Sequence, residues 1–255
     1  MHHVVLYSGG LASWRVAEIV CEREENVTLL FADTKSEDED LYRFLNETSE
    51  HLGAPITTIA DGRTVWEVFN DVKFIGNTRI DPCSRILKRE PTRRWLESHC
   101  DPESTTVYLG FDLFEDHRFE RAKRHWEPWT IAAPLVDLLE TRPMIQARLD
   151  AIGIAPPRLY GAGFSHNNCR GACVKAGQGQ WAHLLRMDRE EYLRNEREEE
   201  AMRTALDKDI SILRDQSGGA TTPLTLRELR RRVEADEQID LFDIRGCGCF
   251  AEGGE

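Results

Sequence analysis

The opening residues of the chain do most to limit its fold. Val4-Val5-Leu6-Tyr7 has the composition of a short buried strand, and it runs straight into Ser8-Gly9-Gly10-Leu11-Ala12-Ser13-Trp14. Beyond the turn, Val16, Ala17, Ile19 and Val20 recur at helical spacing. A strand, a Gly-Gly turn and a helix in series place a backbone cradle where α/β sheets bind ligands. Glycine lets the backbone approach a ligand closely, and the helix N-terminus offers N–H groups and partial positive charge. Ser8 and Ser13 add hydroxyls. The ligand such a cradle suits is a phosphate or a sulfate. An ordinary tight turn is the alternative reading of the same dipeptide. No Gly-Lys-Ser/Thr follows, so this is not a Walker loop, and the third glycine of the dinucleotide fingerprint is missing.

The pattern then alternates. Val27–Phe31, Ala54–Ala60, Thr105–Leu109 and Trp129–Ala133 read as further strands. Asp38–Leu52, Val65–Val72 and Glu115–Arg124 read as helices, as does a segment that starts near Ser84, kinks before Pro91 and continues through Leu96. Five strands alternating with helices predict an α/β fold: a Rossmann-like, doubly wound, mostly parallel five-stranded sheet over residues 1–140. Residues 141–255 form a helical, cysteine-bearing C-terminal part. It holds helices over Arg142–Ile152, after Pro156-Pro157, over Gln180–Leu206 with a solvated charged face, and over Leu224–Val233, with a loose turn at Gln216–Ala220. The ends of strands one, two and four would gather Ser8–Ser13, Asp33 and Gly110–Asp112 at one crevice. Asp33 there either meets the ribose or adenine of a nucleotide or caps the next helix.

Net charge is −12, which argues against a large non-specific nucleic-acid interface. The basic stretches Arg85–Arg94 and Arg118–Arg124 suit a small polyanion, or are solvated helix faces. No apolar run approaches the roughly 20 residues of a membrane span. The N-terminus shows no signal-peptide pattern, and the expected location is the cytoplasm. Seven cysteines in such a chain point to metal or redox work more than to disulfides. Cys21 and Cys100 stand alone and read as structural. Cys169 and Cys173 form a Cys-x3-Cys pair, Cys247-Gly248-Cys249 a second pair, and Cys83 follows the third βα unit. Soft thiolates favour zinc or an iron–sulfur cluster; a set of buried free thiols is the alternative. Cys83, Cys169, Cys173 and Cys247 are the candidate ligands, and Cys249 the extra, reactive thiol. His166 and His183 are either further ligands or, as a lone histidine more often is, hydrogen-bonded bystanders.

Ser8–Ser13 resembles the pyrophosphate loop, Ser-Gly-Gly-x-Asp-Ser, of the PP-loop ATP pyrophosphatases and the phosphoadenosine-phosphosulfate (PAPS) reductase-like proteins, with Ala12 where most of them have Asp. Cys83 through Pro91 is similar to the Cys-Cys-x-x-Arg-Lys-x-x-Pro stretch of the cluster-bearing adenylyl-sulfate (APS) reductases, with one of the two adjacent cysteines and with the lysine, Lys88, after Leu87. Cys169/Cys173 resembles their second pair with one extra residue of spacing, and Cys247-Gly248-Cys249 their tail nucleophile. His166 through Gln178 also resembles PAPS-reductase-like proteins of phages and actinobacteria. The resemblance implies an enzyme. Its first form binds ATP at Ser8, Gly9, Gly10, Leu11, Ala12, Ser13, Asp33, Gly110 and Asp112, with magnesium as an optional partner. It cleaves the α–β phosphate bond and adenylates an acceptor oxygen that sulfur then replaces, while Lys88, Arg85 and Arg118 neutralise developing charge. Its second form reduces PAPS or APS with the Cys249 thiolate. A third reading, favoured by Ala12, is an inactive nucleotide-binding module. A [4Fe–4S] cluster or zinc would sit on the cysteines, and a homodimer is compatible with all three readings.

Overall fold

Residues 1–111, 116–216, 220–241 and 243 are described by a computed structural model. Asp112, Cys247 and Cys249 lie outside the described residues. Among the described residues, five strands form one all-parallel sheet: β1 (His2–Leu6), β2 (Val27–Asp33), β3 (Ile56–Ala60), β4 (Thr105–Tyr108) and β5 (Thr130–Ala132), in the order β3-β2-β1-β4-β5. The expected α/β architecture is therefore present. β1 is central because both its faces are apolar. Val5 and Tyr7 pack with Leu29 and Phe31 on one side, while Val4 and Leu6 pack with Leu30 and Val107 on the other. Alternation along a strand sends neighbours to opposite faces, and a parallel sheet covered on both sides needs both faces apolar. The order of crossovers reverses between β1 and β4, so the crevice at their carboxyl ends is the topological switch point.

The helices that follow are α1 (Leu11–Arg23), α2 (Glu39–Leu52), α3 (Val65–Val72), α4 (Pro82–Ser84) and α5 (Glu90–His99), then α6 (Asp116–His125), α7 (Pro134–Leu138) and α8 (Arg142–Ile152). Leu41, Phe44 and Leu45 bury one stripe of α2 against β1 and β2. The irregularity expected before Pro91 takes the form of a widened turn. A π-helical turn, Arg85–Arg89, joins α4 to α5 without a break, and the Glu90 N–H reaches five residues back to the Arg85 carbonyl. Proline has no N–H to give and its ring crowds the carbonyl four residues back; the wide turn accommodates it.

The second half departs further from expectation. After α9 (Arg158–Gly161), the predicted helix Gln180–Leu206 is two helices, α10 (Gln178–Met187) and α11 (Arg189–Leu206). They part at Asp188, whose carboxylate accepts the Glu191 N–H at 2.9 Å and caps the second. A hairpin that the alternation did not reveal, β6 (Leu213–Asp215) with β7 (Thr222–Leu224), precedes α12 (Leu226–Glu234). Its strands are three residues each, too short to show a period. The charged face of α11 is not simply solvated either: Glu191, Glu196 and Glu199 are buried. A third apolar cluster unites Trp66, Phe69, Ile86 and Leu87 with Trp181, Leu184, Tyr192 and Leu226. The helices around residues 65–90 thus share one core with the C-terminal helices. No described helix is long and apolar enough to cross a membrane.

Candidate active site

Ser8–Ser13 closes on itself. Gly9 adopts φ +73°, and a Cβ there would lie 2.2 Å from Leu41 Cδ1, so glycine is required for both shape and space. The Gly10 N–H donates to Ser13 Oγ at 3.1 Å, Ser13 Oγ donates to the Gly10 carbonyl at 2.9 Å, and Ser8 Oγ donates to Ser13 Oγ at 3.1 Å. These bonds fix the first turn of α1 where it leaves β1. From the far side of the switch point, Gly110 packs against the loop backbone: a Cβ at 110 would stand 2.7 Å from the Ser13 nitrogen and 2.9 Å from the Ala12 carbonyl carbon. Gly110 and Ser8–Ser13 therefore meet, as the order of strands predicts. Ala12 brings a methyl group, and no carboxylate, to the loop.

The C-terminal part reaches the same loop. Asn167 Nδ2 donates to the Gly9 carbonyl at 3.0 Å, and the Leu11 N–H points at Tyr160 Oη, 3.4 Å away. Two residues beyond Asn167 the chain enters a left-handed turn in which Cys169, Arg170 and Gly171 have φ of +52°, +51° and +84°. For Cys169 and Arg170 this conformation costs of order 1–3 kcal/mol each, which surrounding contacts must offset. One of those contacts is Glu37. Its Oε2 accepts the Cys169 N–H at 2.8 Å, while Oε1 accepts from Thr34 Oγ1 at 3.0 Å and faces Lys88 Nζ at 3.2 Å. Glu37 and Lys88 are both buried. The end of β2, the π-helical turn and the cysteine loop are thus tied to one carboxylate.

The partners of this carboxylate, Thr34, Lys88 and Cys169, line a cavity of about 20 Å³ together with Asp81, Lys175 and the thiols of Cys83 and Cys173, among others. The three predicted thiols come together although 86 residues separate Cys83 from Cys169. Burial pushes the Cys83 thiol up to about 12, helped by Cys173 and Asp81. Burial likewise raises Cys173, and it raises Cys169 well above the ordinary range. Burial alone would lower the Lys88 ammonium, but Glu37 and the neighbouring thiols outweigh it and hold it above its ordinary value. Asp81 stands 3.8 Å from Arg89 Nη2 and 4.0 Å from Lys175 Nζ. Among the described residues, no group of three or more histidine, cysteine or acidic side chains is arranged to hold a metal ion.

The other predicted residues lie apart. Asp33 is buried at the end of β2, but its Oδ1 accepts the Lys35 N–H and the Tyr42 hydroxyl at 2.9 Å each, and its Oδ2 meets Lys35 Nζ at 2.7 Å. Those hydrogen bonds outweigh burial and lower its pKa. Asp33 does not cap α2; Asp38 does, accepting the Asp40 N–H at 3.0 Å. Arg85 turns outward to Glu90 at 2.7 Å, away from the buried Lys88, because the wide turn separates residues that an ordinary helix would stack. Arg118 lies over the Phe111 ring, 5.9 Å from its centre. His183 is hydrogen-bonded to the Ala162 carbonyl at 2.7 Å. Cys21 lies in α1, and Cys100 follows α5, 3.6 Å from His2 Nδ1. Glu37, Asn167 and Tyr160 were not singled out by the sequence. Glu37 sits among acidic residues that read as a helix start, and nothing local marks its inward turn.

Comparison with curated proteins gives no match. Among solved structures, the chain is similar to the phosphoadenylyl-sulfate (PAPS) reductase of Candida auris in its phosphate complex, at 13% identity and a TM-score of 0.46, over 65% of this chain and 80% of that one. The family model of the phosphoadenosine phosphosulfate reductase domain matches residues 2–166. That span holds Ser8–Ser13, Glu37, Cys83, Lys88, Gly110 and Tyr160, and it ends one residue before Asn167. The chain belongs to the phosphoadenosine phosphosulfate reductase domain family, and is an enzyme of that PP-loop class.

Proposed function

We propose that this enzyme binds a sulfonucleotide, PAPS or APS, with its phosphosulfate end at Ser8–Ser13, and reduces it with a C-terminal thiolate. The observation that carries the reading is the junction of a serine–glycine anion cradle and a thiol-bearing loop through the Asn167–Gly9 hydrogen bond. Ala12 favours this over cleavage of magnesium ATP: the loop offers no carboxylate to a metal, and both oxygens of Asp33 are engaged by Lys35 and Tyr42. The α1 N-terminus and the serine hydroxyls bind the anion and orient its sulfur. Buried Cys83, Cys169 and Cys173 are held as thiols, which are poor nucleophiles. The nucleophile is therefore assigned to the tail, at Cys249. Its thiolate attacks the sulfate sulfur, an S–S bond forms, the S–O bond to phosphate breaks, and the nucleoside phosphate leaves. An external thiol reductant then releases sulfite and is left in a disulfide with the enzyme.

Calorimetry with PAPS, APS and ATP tests the cradle. Gly10→Val places a side chain against Tyr160 Oη and Ser8 Oγ, 3.3 and 3.5 Å from a Cβ at that position. Binding in the wild type and none in the variant is the expected result; equal affinities would remove the loop from the site. Sulfite release with a dithiol reductant supports the reductase, whereas conversion of ATP to AMP and pyrophosphate would support the adenylating reading instead.

Cys83, Cys169 and Cys173 are donors of the kind that zinc or a [4Fe–4S] cluster takes, but as they stand they are not arranged to hold a metal, so such a group would need the three thiols to regroup with Cys247 as fourth ligand. Bound there, the group would supply positive charge beside the nucleotide and deprotonate its ligands. Anaerobic purification and metal analysis of single variants give the test. Cys169→Ser and Cys173→Ser should lose metal, and Cys249→Ser should keep metal and lose sulfite formation. Absence of metal from every preparation would leave the three as plain buried thiols.

A further inference from the structure

We infer that Tyr160 is a binding residue: its hydroxyl donates a hydrogen bond to the anion held at Ser8–Ser13, which makes α9 part of the nucleotide site. This rests on the anion-binding role proposed above for the loop. Tyr160 lies in α9, yet its ring packs against the apolar cluster that contains Leu11, Trp14 and Val16. Only the polar end of the ring is left to face the loop, where the Leu11 N–H points at Oη from 3.4 Å. That contact uses the oxygen as acceptor and leaves its proton to give. Among the described residues, no acceptor takes that proton. A phenol is both donor and acceptor, and here one half of that capacity is met by the protein. A negatively charged oxygen at the start of α1 would meet the other half. Burial raises the Tyr160 pKa, and the Leu11 N–H and the Arg142 charge pull only partly against it, so the hydroxyl keeps its proton at neutral pH.

The space beside the hydroxyl belongs to Gly10. A Cβ there would lie 3.3 Å from Tyr160 Oη, 3.5 Å from Ser8 Oγ and 3.8 Å from Asn167 Oδ1. Polar groups from both halves of the chain thus converge on one side of the loop. Asn167 is already committed, since its Nδ2 donates to the Gly9 carbonyl at 3.0 Å. Tyr160 and Ser8 supply the hydroxyls there. Arg142, which donates to the Ser165 carbonyl at 2.8 Å, adds positive charge close enough to act on Tyr160. The tyrosine is also held in place. The Arg158 guanidinium grips both Asp38 oxygens at 2.8 and 2.7 Å, and the Arg158 N–H donates to Asp40 Oδ2 at 2.7 Å. Arg43 donates to the carbonyls of Ala155 and Pro156 at 3.1 and 3.2 Å. α9 is therefore pinned to the start of α2, whose Leu41 lies under Gly9. A donor fixed before the ligand arrives costs no ordering when the anion binds.

The test is Tyr160→Phe in the full-length protein, which removes one oxygen and keeps the packed ring. Calorimetry with PAPS and with inorganic pyrophosphate should show both bound about 10- to 100-fold more weakly, the range for a lost hydrogen bond to a charged group. A hydroxyl that only caps the Leu11 N–H predicts the opposite sign: removing it would free that N–H, and the anion would bind as tightly as before or more tightly. Equal or tighter binding in the variant therefore overturns the inference. A spectroscopic readout separates contact from mere support of the loop. Pyrophosphate carries no chromophore, so any change it causes in the near-ultraviolet tyrosine absorption comes from the protein. That change should appear in the wild type and vanish in Tyr160→Phe; weaker binding with the signal retained would mean a structural role and also overturn it. The proposed function fails separately. Wild-type protein that binds pyrophosphate but not PAPS, with the tyrosine signal present, would sink the reductase and leave Tyr160 as an anion ligand, whereas protein that binds neither would sink both.

Discussion

Glu37→Ala is expected to destabilise the protein by about 3–5 kcal/mol, the cost of breaking a buried ion pair from one side. Three donors lose their acceptor at once: Lys88 Nζ, Thr34 Oγ1 and the Cys169 N–H. The ammonium is the largest of these losses, because Lys88 is 5% exposed and has little water to turn to. The Cys169 loop also loses a contact that offsets its left-handed backbone, so the fold and the thiol cavity suffer together. Against a whole stability of about 5–15 kcal/mol, the change is severe. Urea denaturation reads it directly. Glu37→Gln keeps two acceptor contacts and should cost less. Pairing it with Lys88→Met, which removes the orphaned charge, should recover part of the loss, as coupled neighbours do. A cost below about 1 kcal/mol for Glu37→Ala would mean that the carboxylate holds nothing together.

Glu199 gives the second large effect, and a pH dependence with it. It is fully buried in α11, where Oε1 accepts the Ile212 N–H at 2.9 Å and Oε2 the Leu226 N–H at 2.7 Å. One carboxylate therefore fixes the approach to the β6–β7 hairpin and the start of α12. Burial raises its pKa from 4.5 to about 7, against the pull of the two backbone donors. A folded value above the unfolded one means that the contribution is fully present below about 4.5 and fades as pH rises through 7. Across that window the loss amounts to about 3 kcal/mol. Melting temperatures measured from pH 4.5 to 8 should show this fall in the wild type and a flatter profile in Glu199→Gln. Glu199→Ala leaves two buried N–H groups without acceptors and should cost about 2–5 kcal/mol at pH 5. Parallel pH profiles in wild type and Glu199→Gln would refute the assignment.

Much of the nucleotide half was legible because its signals are local and repeated. Val4 through Tyr7, the Gly-Gly turn and the α1 stripe each follow from a short run of residues, and parallel order follows from strict alternation of strand and helix. Gly110 was placed against the loop by topology alone. What stayed hidden depends on which way a polar side chain turns. Glu37 and Glu199 sit in acidic runs that look solvated, and only the packed neighbours decide which carboxylates in each run face inward. Lys88 and Arg85 looked alike as two cations on one helix; the wide turn sends them to opposite environments. The meeting of Cys83 with Cys169 and Cys173 was an expectation from residue type, since no periodicity links positions so far apart. Asp38 took the cap that Asp33 could have supplied, a choice between two like residues that depends on backbone geometry at the end of β2.

The π-helical turn makes residue count part of the site's chemistry. A five-residue stretch wound with one residue too many is a phase offset between the two halves of a single rod. Deleting one residue there would restore regular winding and rotate everything on one side by about 100° relative to the other. With the deletion between them, Cys83 and Lys88 could no longer both face the cavity. An insertion or deletion in Arg85–Arg89 is thus a rotation of the site, whereas the same change in the turn Asp101–Ser104 that leads into β4 only lengthens or shortens a loop.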